Sequence, residues 1–246
     1  VVNAVAWMAH TCESLYADFR LFQVANTKLF KGIVFKDTSD TKSKQYLLTL
    51  KELEKNGDKI VFEARILSEG DKLPRYHYQA NITLVHKSKS IAAPSFKPSN
   101  SGTYTPTAGA SLYTDGTLFH GSYFQGIEQV LDCTDKQLIL SCKAPNVPLQ
   151  AQGQFPIKAI NTFFADIQYQ GMLVWVQKQK NGAKSLPLHT HKASLYHPMP
   201  FNKSLFVHLS IIESTEHKMV ANCTVYDETG KVYLIKIGRA SCRERV

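Results

Sequence analysis

A displacement of 159 positions lays one part of this chain over another, and that internal repeat limits the folds open to it. The displacement carries Tyr46, Leu48 and Leu50 onto Leu205, Val207 and Leu209, Val61 onto Val220, and Ala64 onto Cys223. Both regions read as strand, polar turn, strand, glycine-containing turn, strand. The turns are Glu54 to Asp58 against Ser214 to His217, then Ser68 to Lys72 against Asp227 to Lys231. Upstream, Val1, Val5, Met8, Leu15 and Tyr16 fall on Ile160, Phe164, Ile167, Val174 and Trp175, spaced as the buried face of a helix requires. One supersecondary unit is used twice.

A long apolar helix against a curved antiparallel sheet, repeated, predicts an α+β double hot-dog. Each sheet buries its apolar face by wrapping a helix, and edge-to-edge pairing protects the open strands. The expected layout is an N-terminal hot-dog over 1–86, a linker over 87–110 rich in Ser, Pro, Thr and Gly, and a C-terminal hot-dog over 111–235. Gly126 to Leu131 and Gln137 to Cys142 are strand candidates ahead of the second helix, whereas the first unit starts inside its helix. The repeat therefore predicts that the N-terminal strands of the first unit, roughly thirty to fifty residues, lie upstream of Val1.

The last stretch, 236–246, reads KIGRASCRERV and has no core periodicity. One codon choice for it contains AGATCGGAAGAGC and resembles a common sequencing adaptor, so these residues are expected to be an artefact tail and are left out of the fold. They carry four positive charges and one negative, which reduces the formal net charge from +9 to +6.

With 43% hydrophobic residues in 246, the chain has enough apolar matter for one or two cores. No apolar run approaches the ~20 residues of a membrane-spanning helix. The remaining +6 is spread along the chain without a Lys/Arg block or an RNA-binding aromatic motif, which argues against nucleic acid as a partner. Cys12, Cys133, Cys142, Cys223 and Cys242 form an odd set without a Cys-x-x-Cys pair, so neither a zinc ribbon nor a disulfide framework is expected. A reducing, cytoplasmic setting is the expectation. The chain starts Val1-Val2-Asn3, with no Met and no signal-peptide pattern.

Asp166 and Gln170 are four apart near the predicted start of the second helix and share one face. A carboxyl there is suited to acid work or to stabilising the first turn. His120 is a candidate proton-transfer group by residue type. His189 and His191 face one side of a predicted strand and, with His197, sketch a metal set, but no acid or Cys lies near in sequence, so no metal is expected. Gly-x-Ser-x-Gly elbows, phosphate loops and dinucleotide fingerprints are absent.

Leu112 to Ile127, LYTDGTLFHGSYFQGI, with Asp166-x-x-x-Gln170 and Ser185-Leu186-Pro187, resembles the dehydratase domain of type I polyketide synthases, most of all the polyunsaturated fatty acid synthase group. AVAWMAH and LFKGIVF within 1–35, and Tyr76 to Ala80, are similar to the first hot-dog of that group. The likeness spans 1–235. It implies elimination of water from a β-hydroxyacyl thioester to give an enoyl thioester. Asp166 matches the family's acid, which protonates the departing hydroxyl, and Gln170 the residue that orients it.

The resemblance places His120, Gly121, Phe124, Leu186 and Pro187 against the substrate. Gly121 would permit close approach of a substrate carbonyl or simply form a tight turn. Gly121 and Phe124 keep the family's Gly-Tyr-x-Tyr-Gly-Pro-x-Phe pattern, while Leu118, His120 and Ser122 depart from it. The family's base, a His within His-x-x-x-Gly-x-x-x-x-Pro, has no counterpart in this sequence, and its Pro is expected just before Val1.

No cofactor is implied beyond the phosphopantetheine arm of an acyl carrier protein, on which the substrate rides. Acyl carrier protein, neighbouring synthase domains and dimerisation through the parent synthase are the implied partners. Carrier proteins are commonly acidic, which would give the basic balance a purpose. Two other functions compete: a noncatalytic, product-template-like domain that binds the acyl chain, and a hot-dog thioesterase. The chain alone is expected to be inactive.

Overall fold

A computed structural model describes residues 1–34, 45–70, 73–99, 101–152, 159–180, 182, 189–216 and 218–237. The first unit is helix α1 (Val2–Leu15) followed by β1 (Phe19–Leu29), β2 (Leu47–Lys55), β3 (Lys59–Ser68) and β4 (Arg75–His86). The second contains β5 (Thr107–Ala108), the short helix α2 (Ser111–Thr114), β6 (Ile127–Cys133), β7 (Gln137–Lys143), α3 (Thr162–Gln179), β8 (His189–Leu195), β9 (Ser204–Ser214), β10 (Met219–Tyr226) and β11 (Val232–Ile237).

The strands form one antiparallel sheet in the order β2-β3-β4-β1-β8-β11-β10-β9-β7-β6-β5. The two units join where β1 pairs with β8, with Val24 facing Ala193 and Thr27 facing Thr190. Each is the first strand after its unit's long helix, so their antiparallel pairing puts a pseudo-two-fold axis through the seam. The fold is a double hot-dog. Helix α1 packs on β1, β3 and β4, helix α3 on β6, β7, β9 and β10, and the two helices touch.

Alternation explains the burial. On β3, Ile60, Phe62, Ala64 and Ile66 point inward, and the 159-residue displacement takes them to Met219, Ala221, Cys223 and Val225 on β10, all buried. Val61 and Val220 belong to the opposite face of the same two strands. Met8 and Ile167, matched by the repeat, are both fully buried. Leu15 departs from expectation: it is 59% exposed, while its match Val174 is buried. The difference comes from the wrap. Helix α3 has strands β6 and β7 over it in addition to β9 and β10, and α1 has no counterpart of that pair among the described residues.

The segment predicted as a linker is strapped onto the second sheet. The Phe96 ring lies 4.9 Å from that of Tyr226. Asp132, fully buried on β6, accepts the Ser101 backbone N–H and hydroxyl and the Gln137 amide. Burial pushes the Asp132 carboxyl up, but those donors outweigh it and hold it below its ordinary value.

At the other end, β11 runs through Lys236 and Ile237, so the expected tail boundary before Lys236 falls inside a strand. Lys236 is buried there, with Nζ 3.4 Å from the centre of the Tyr169 ring. Residues 238–246, and with them Cys242, lie outside the described residues. The four described cysteines are buried free thiols.

Candidate active site

Helix α3 starts in the interior. Asn161 caps it by accepting the Phe164 backbone N–H at 3.1 Å, and donates its own amide to the Met199 carbonyl at 3.2 Å. That double anchorage fixes the first turn and therefore the direction of Asp166, the fifth residue of the helix.

One turn further on, Gln170 is fully buried. Its amide nitrogen donates to Asp166 Oδ2 at 2.9 Å and to the Phe124 carbonyl at 2.8 Å. Its Oε1 accepts the Tyr113 hydroxyl at 2.9 Å, and the Tyr113 oxygen accepts the Ile127 backbone N–H at 3.1 Å. The Ile127 N–H already occupies the phenol oxygen as acceptor, so the phenol proton must go to Gln170. Gln170 then has only its NH₂ to offer Asp166. Burial pushes the Tyr113 phenol up to about 12, which keeps that proton in place.

His120 approaches from the other side, with Nε2 3.1 Å from Asp166 Oδ2. The two side chains are only 14% and 18% exposed. The imidazole stacks on Phe119 with centroids 4.6 Å apart, and its backbone carbonyl accepts the Gln125 amide at 2.9 Å. Its other nitrogen, Nδ1, is buried with no hydrogen-bond partner.

The segment between α2 and β6, which includes a 3₁₀ turn at Ser122–Phe124, delivers these groups to the helix. Gly126 eases that approach: a Cβ there would sit 2.4 Å from Ile167 Cδ1 and 3.1 Å from the Lys143 carbonyl, so a larger residue would have to push the Ile167 side chain aside. Gly121 has an ordinary extended backbone, and a Cβ on it would meet no atom within 4 Å, which leaves open space next to His120. Gly121 also opens the 3₁₀ turn, its carbonyl accepting the Phe124 N–H at 2.8 Å. The Phe124 ring packs on Phe163 at 4.7 Å, so its link to the acid runs through its carbonyl.

Of the expected site residues, Asp166, Gln170, His120 and Phe124 come together, Gly121 borders them, and Leu186 and Pro187 lie outside the described residues. Sequence reasoning missed Tyr113, whose signal was its place at the start of the Leu112 to Ile127 run. His189 and His191 lie on β8, and no group of three His, Cys, Asp or Glu gathers as a metal site among the described residues. A cavity of about 530 Å³ lies elsewhere, in the first unit, lined by residues that include Lys31, Tyr46, Arg75 and His77.

Comparison with known proteins places this arrangement in context. Residues 92–243 match the family model described as "Polyketide synthase dehydratase N-terminal domain". The chain is 26% identical over 234 residues to one of the polyunsaturated fatty acid synthase subunits of a Thraustochytrium species, covering 94% of this chain and 8% of that protein. The fold is similar to the crystal structure of the dehydratase domain of RzxB from Pseudomonas fluorescens, with TM-score 0.71, 12% identity, and 98% and 84% of the two chains covered. It is equally similar, at TM-score 0.71 and 16% identity, to a trans-AT polyketide synthase dehydratase domain from Brevibacillus brevis, covering 100% and 84%.

Proposed function

This chain belongs to the polyketide synthase dehydratase family, and from that premise we propose that it is the dehydratase domain of a multifunctional synthase, eliminating water from a β-hydroxyacyl thioester borne by an acyl carrier protein. It spans about 8% of the length of the curated relative, so the rest of the synthase, its carrier protein and the polyunsaturated character of its product are part of the same proposal.

The observation that carries this reading is the bonded cluster of Tyr113, Gln170, Asp166 and His120 at the start of α3. Elimination needs a base at the α-carbon and an acid at the β-hydroxyl. This cluster supplies the acid. Oδ2 of Asp166 is taken by two donors, and Oδ1 makes no bond among the described residues, so the carboxyl is held in one orientation with one oxygen free to act. Positioned proton transfer of this kind is worth ~10²- to 10⁴-fold in rate. The family's His motif is not in this sequence, so the α-proton is taken by a residue of another segment, and this chain alone does not turn over.

The test is a side-by-side assay of this chain and of the synthase polypeptide that carries it on a β-hydroxyacyl carrier protein. Enoyl thioester formed by the synthase and lost on Asp166→Asn is expected. A synthase indifferent to that substitution favours a noncatalytic acyl-binding domain. No helix among the described residues is long and apolar enough to cross a membrane.

A further inference from the structure

In the first unit, the imidazole of His77 is clamped through both its ring and its backbone. The register of β3 on β4 slips where Ile66 faces Tyr78 and Leu67 faces Tyr76, so His77 bulges out of the ladder. A bulge re-aims a side chain, and here the ring is 5% exposed and lines the cavity of about 530 Å³. The His77 carbonyl accepts the Phe30 and Lys31 backbone N–H groups at 3.0 and 3.4 Å, and Nδ1 lies 3.0 Å from the Lys31 carbonyl. A carbonyl oxygen only accepts, so Nδ1 carries a hydrogen and Nε2 of the neutral ring is a bare lone pair. Ser68 Oγ lies 2.8 Å from that nitrogen, against 3.4 Å from its other acceptor, the Glu69 carbonyl. The Tyr46 ring meets the imidazole edge-on at 5.2 Å. A hydroxyl on a base whose far nitrogen is fixed by a third group is the arrangement of an activated nucleophile.

The fold does not demand this pair, because the 159-residue displacement takes Ser68 to Asp227, which is spent on the Thr229 and Lys231 N–H groups of its own turn. Lys31 and Arg75 line the same cavity, neither paired with a carboxylate among the described residues, against one acid, Glu69. Arg75 is the register partner of Ser68 on the neighbouring strand, and side chains so placed start ~5 Å apart. We infer that Ser68 is a nucleophile and His77 its base, in a second site that cleaves short acyl thioesters bearing a free carboxylate, the half-thioesters of dicarboxylic acids, with Arg75 holding that carboxylate. Ser68 Oγ forms a bond to the thioester carbon while its proton passes to Nε2 and the carbonyl pair moves to oxygen. That pair returns, the C–S bond breaks, and sulfur leaves with the Nε2 proton as a thiol. Water then attacks the acyl-Ser68 ester, giving its proton to Nε2; the C–Oγ bond breaks, Oγ takes that proton back, and the dicarboxylic acid departs. The site shares no residue with the Asp166 cluster, so it stands or falls apart from the dehydratase reading.

A fluorophosphonate, which traps an activated serine as a phosphonyl ester, tests the nucleophile on this chain, and mass spectrometry is expected to find the adduct on Ser68. Thiol release is then compared for malonyl-pantetheine and acetyl-pantetheine, which differ by one carboxylate. The malonyl thioester is expected to be cleaved about fivefold faster, the upper end of what one exposed ion pair contributes, and Arg75→Gln should abolish the difference. Ser68→Ala is expected to lower cleavage by ~10²-fold or more. Nitrogen-15 NMR of the His77 ring should show the Nδ1–H tautomer. Ser68 left unmodified by the fluorophosphonate, wild-type cleavage by Ser68→Ala, equal rates for the two thioesters, or an Nε2–H tautomer would each overturn the inference.

Discussion

The Tyr113 hydroxyl and the Gln170 side chain, 57 residues apart in sequence, are joined by a 2.9 Å hydrogen bond that can run in one direction only. Tyr113 receives the Ile127 N–H and passes its own proton to Gln170 Oε1, so the Gln170 NH₂ is committed to Asp166 and Phe124. A backbone amide of β6 thus sets the orientation of a side chain on α3, and through it the carboxyl of Asp166.

Tyr113→Phe removes the middle of that chain and leaves the Ile127 N–H and Gln170 Oε1 without partners in a buried place. Losing such bonds costs about 1–3 kcal/mol. Urea unfolding of the variant is expected to show a midpoint lowered accordingly, and the Gln170 side-chain NH₂ signals are expected to broaden as the amide gains a second orientation. An unchanged midpoint would mean that water replaces the phenol.

Gly126→Ala would place a methyl 2.4 Å from Ile167 Cδ1 and 3.1 Å from the Lys143 carbonyl. Overpacking of this kind costs about 1–3 kcal/mol. Ile167→Val removes the Cδ1 atom, so in the double variant part of that loss should return. A double-mutant cycle on thermal or urea unfolding measures the coupling, and strict additivity of the two changes would contradict the packing described.

Much of this architecture is legible in the sequence because the repeat works at the level of inward-facing positions. Met8 and Ile167, or Ala64 and Cys223, occupy the same place in the two units, and one displacement finds them. The displacement fails where connections differ in length: three residues separate α1 from β1 and nine separate α3 from β8, so the two strands that join the units are not matched by it. Leu15 is apolar and correctly spaced for a buried helix face, yet it is exposed, since burial depends on which strands reach over the helix.

The site divides in the same way. Asp166 and Gln170 are visible as a pair four apart on one helix, and their bond follows from that spacing. Tyr113 and His120 come from a separate segment, and only tertiary packing around Gly126 brings them to the acid. The chemistry of an imidazole is readable from residue type, but its choice of partner is not.

Asp227 supplies a pH dependence. Burial raises its carboxyl, but the Thr229 hydroxyl and backbone N–H, the Lys203 ammonium and the Lys231 N–H outweigh that and bring it down to about 2 from an ordinary 3.8. A carboxyl depressed in the folded state adds stability that is fully present above its unfolded value and is lost as pH falls through the folded one. The melting temperature is therefore expected to fall as pH drops from 3.8 toward about 2, and Asp227→Asn should flatten that part of the curve. A variant with the same acid limb as the wild type would show that other carboxyls govern it.

The acid assignment meets its most direct test in the rate at which the synthase carrying this domain converts a β-hydroxyacyl carrier protein to the enoyl form, compared between wild type and Asp166→Asn. A fall of ~10²- to 10⁴-fold with an unchanged melting temperature is predicted. Equal rates in the two proteins would contradict the account.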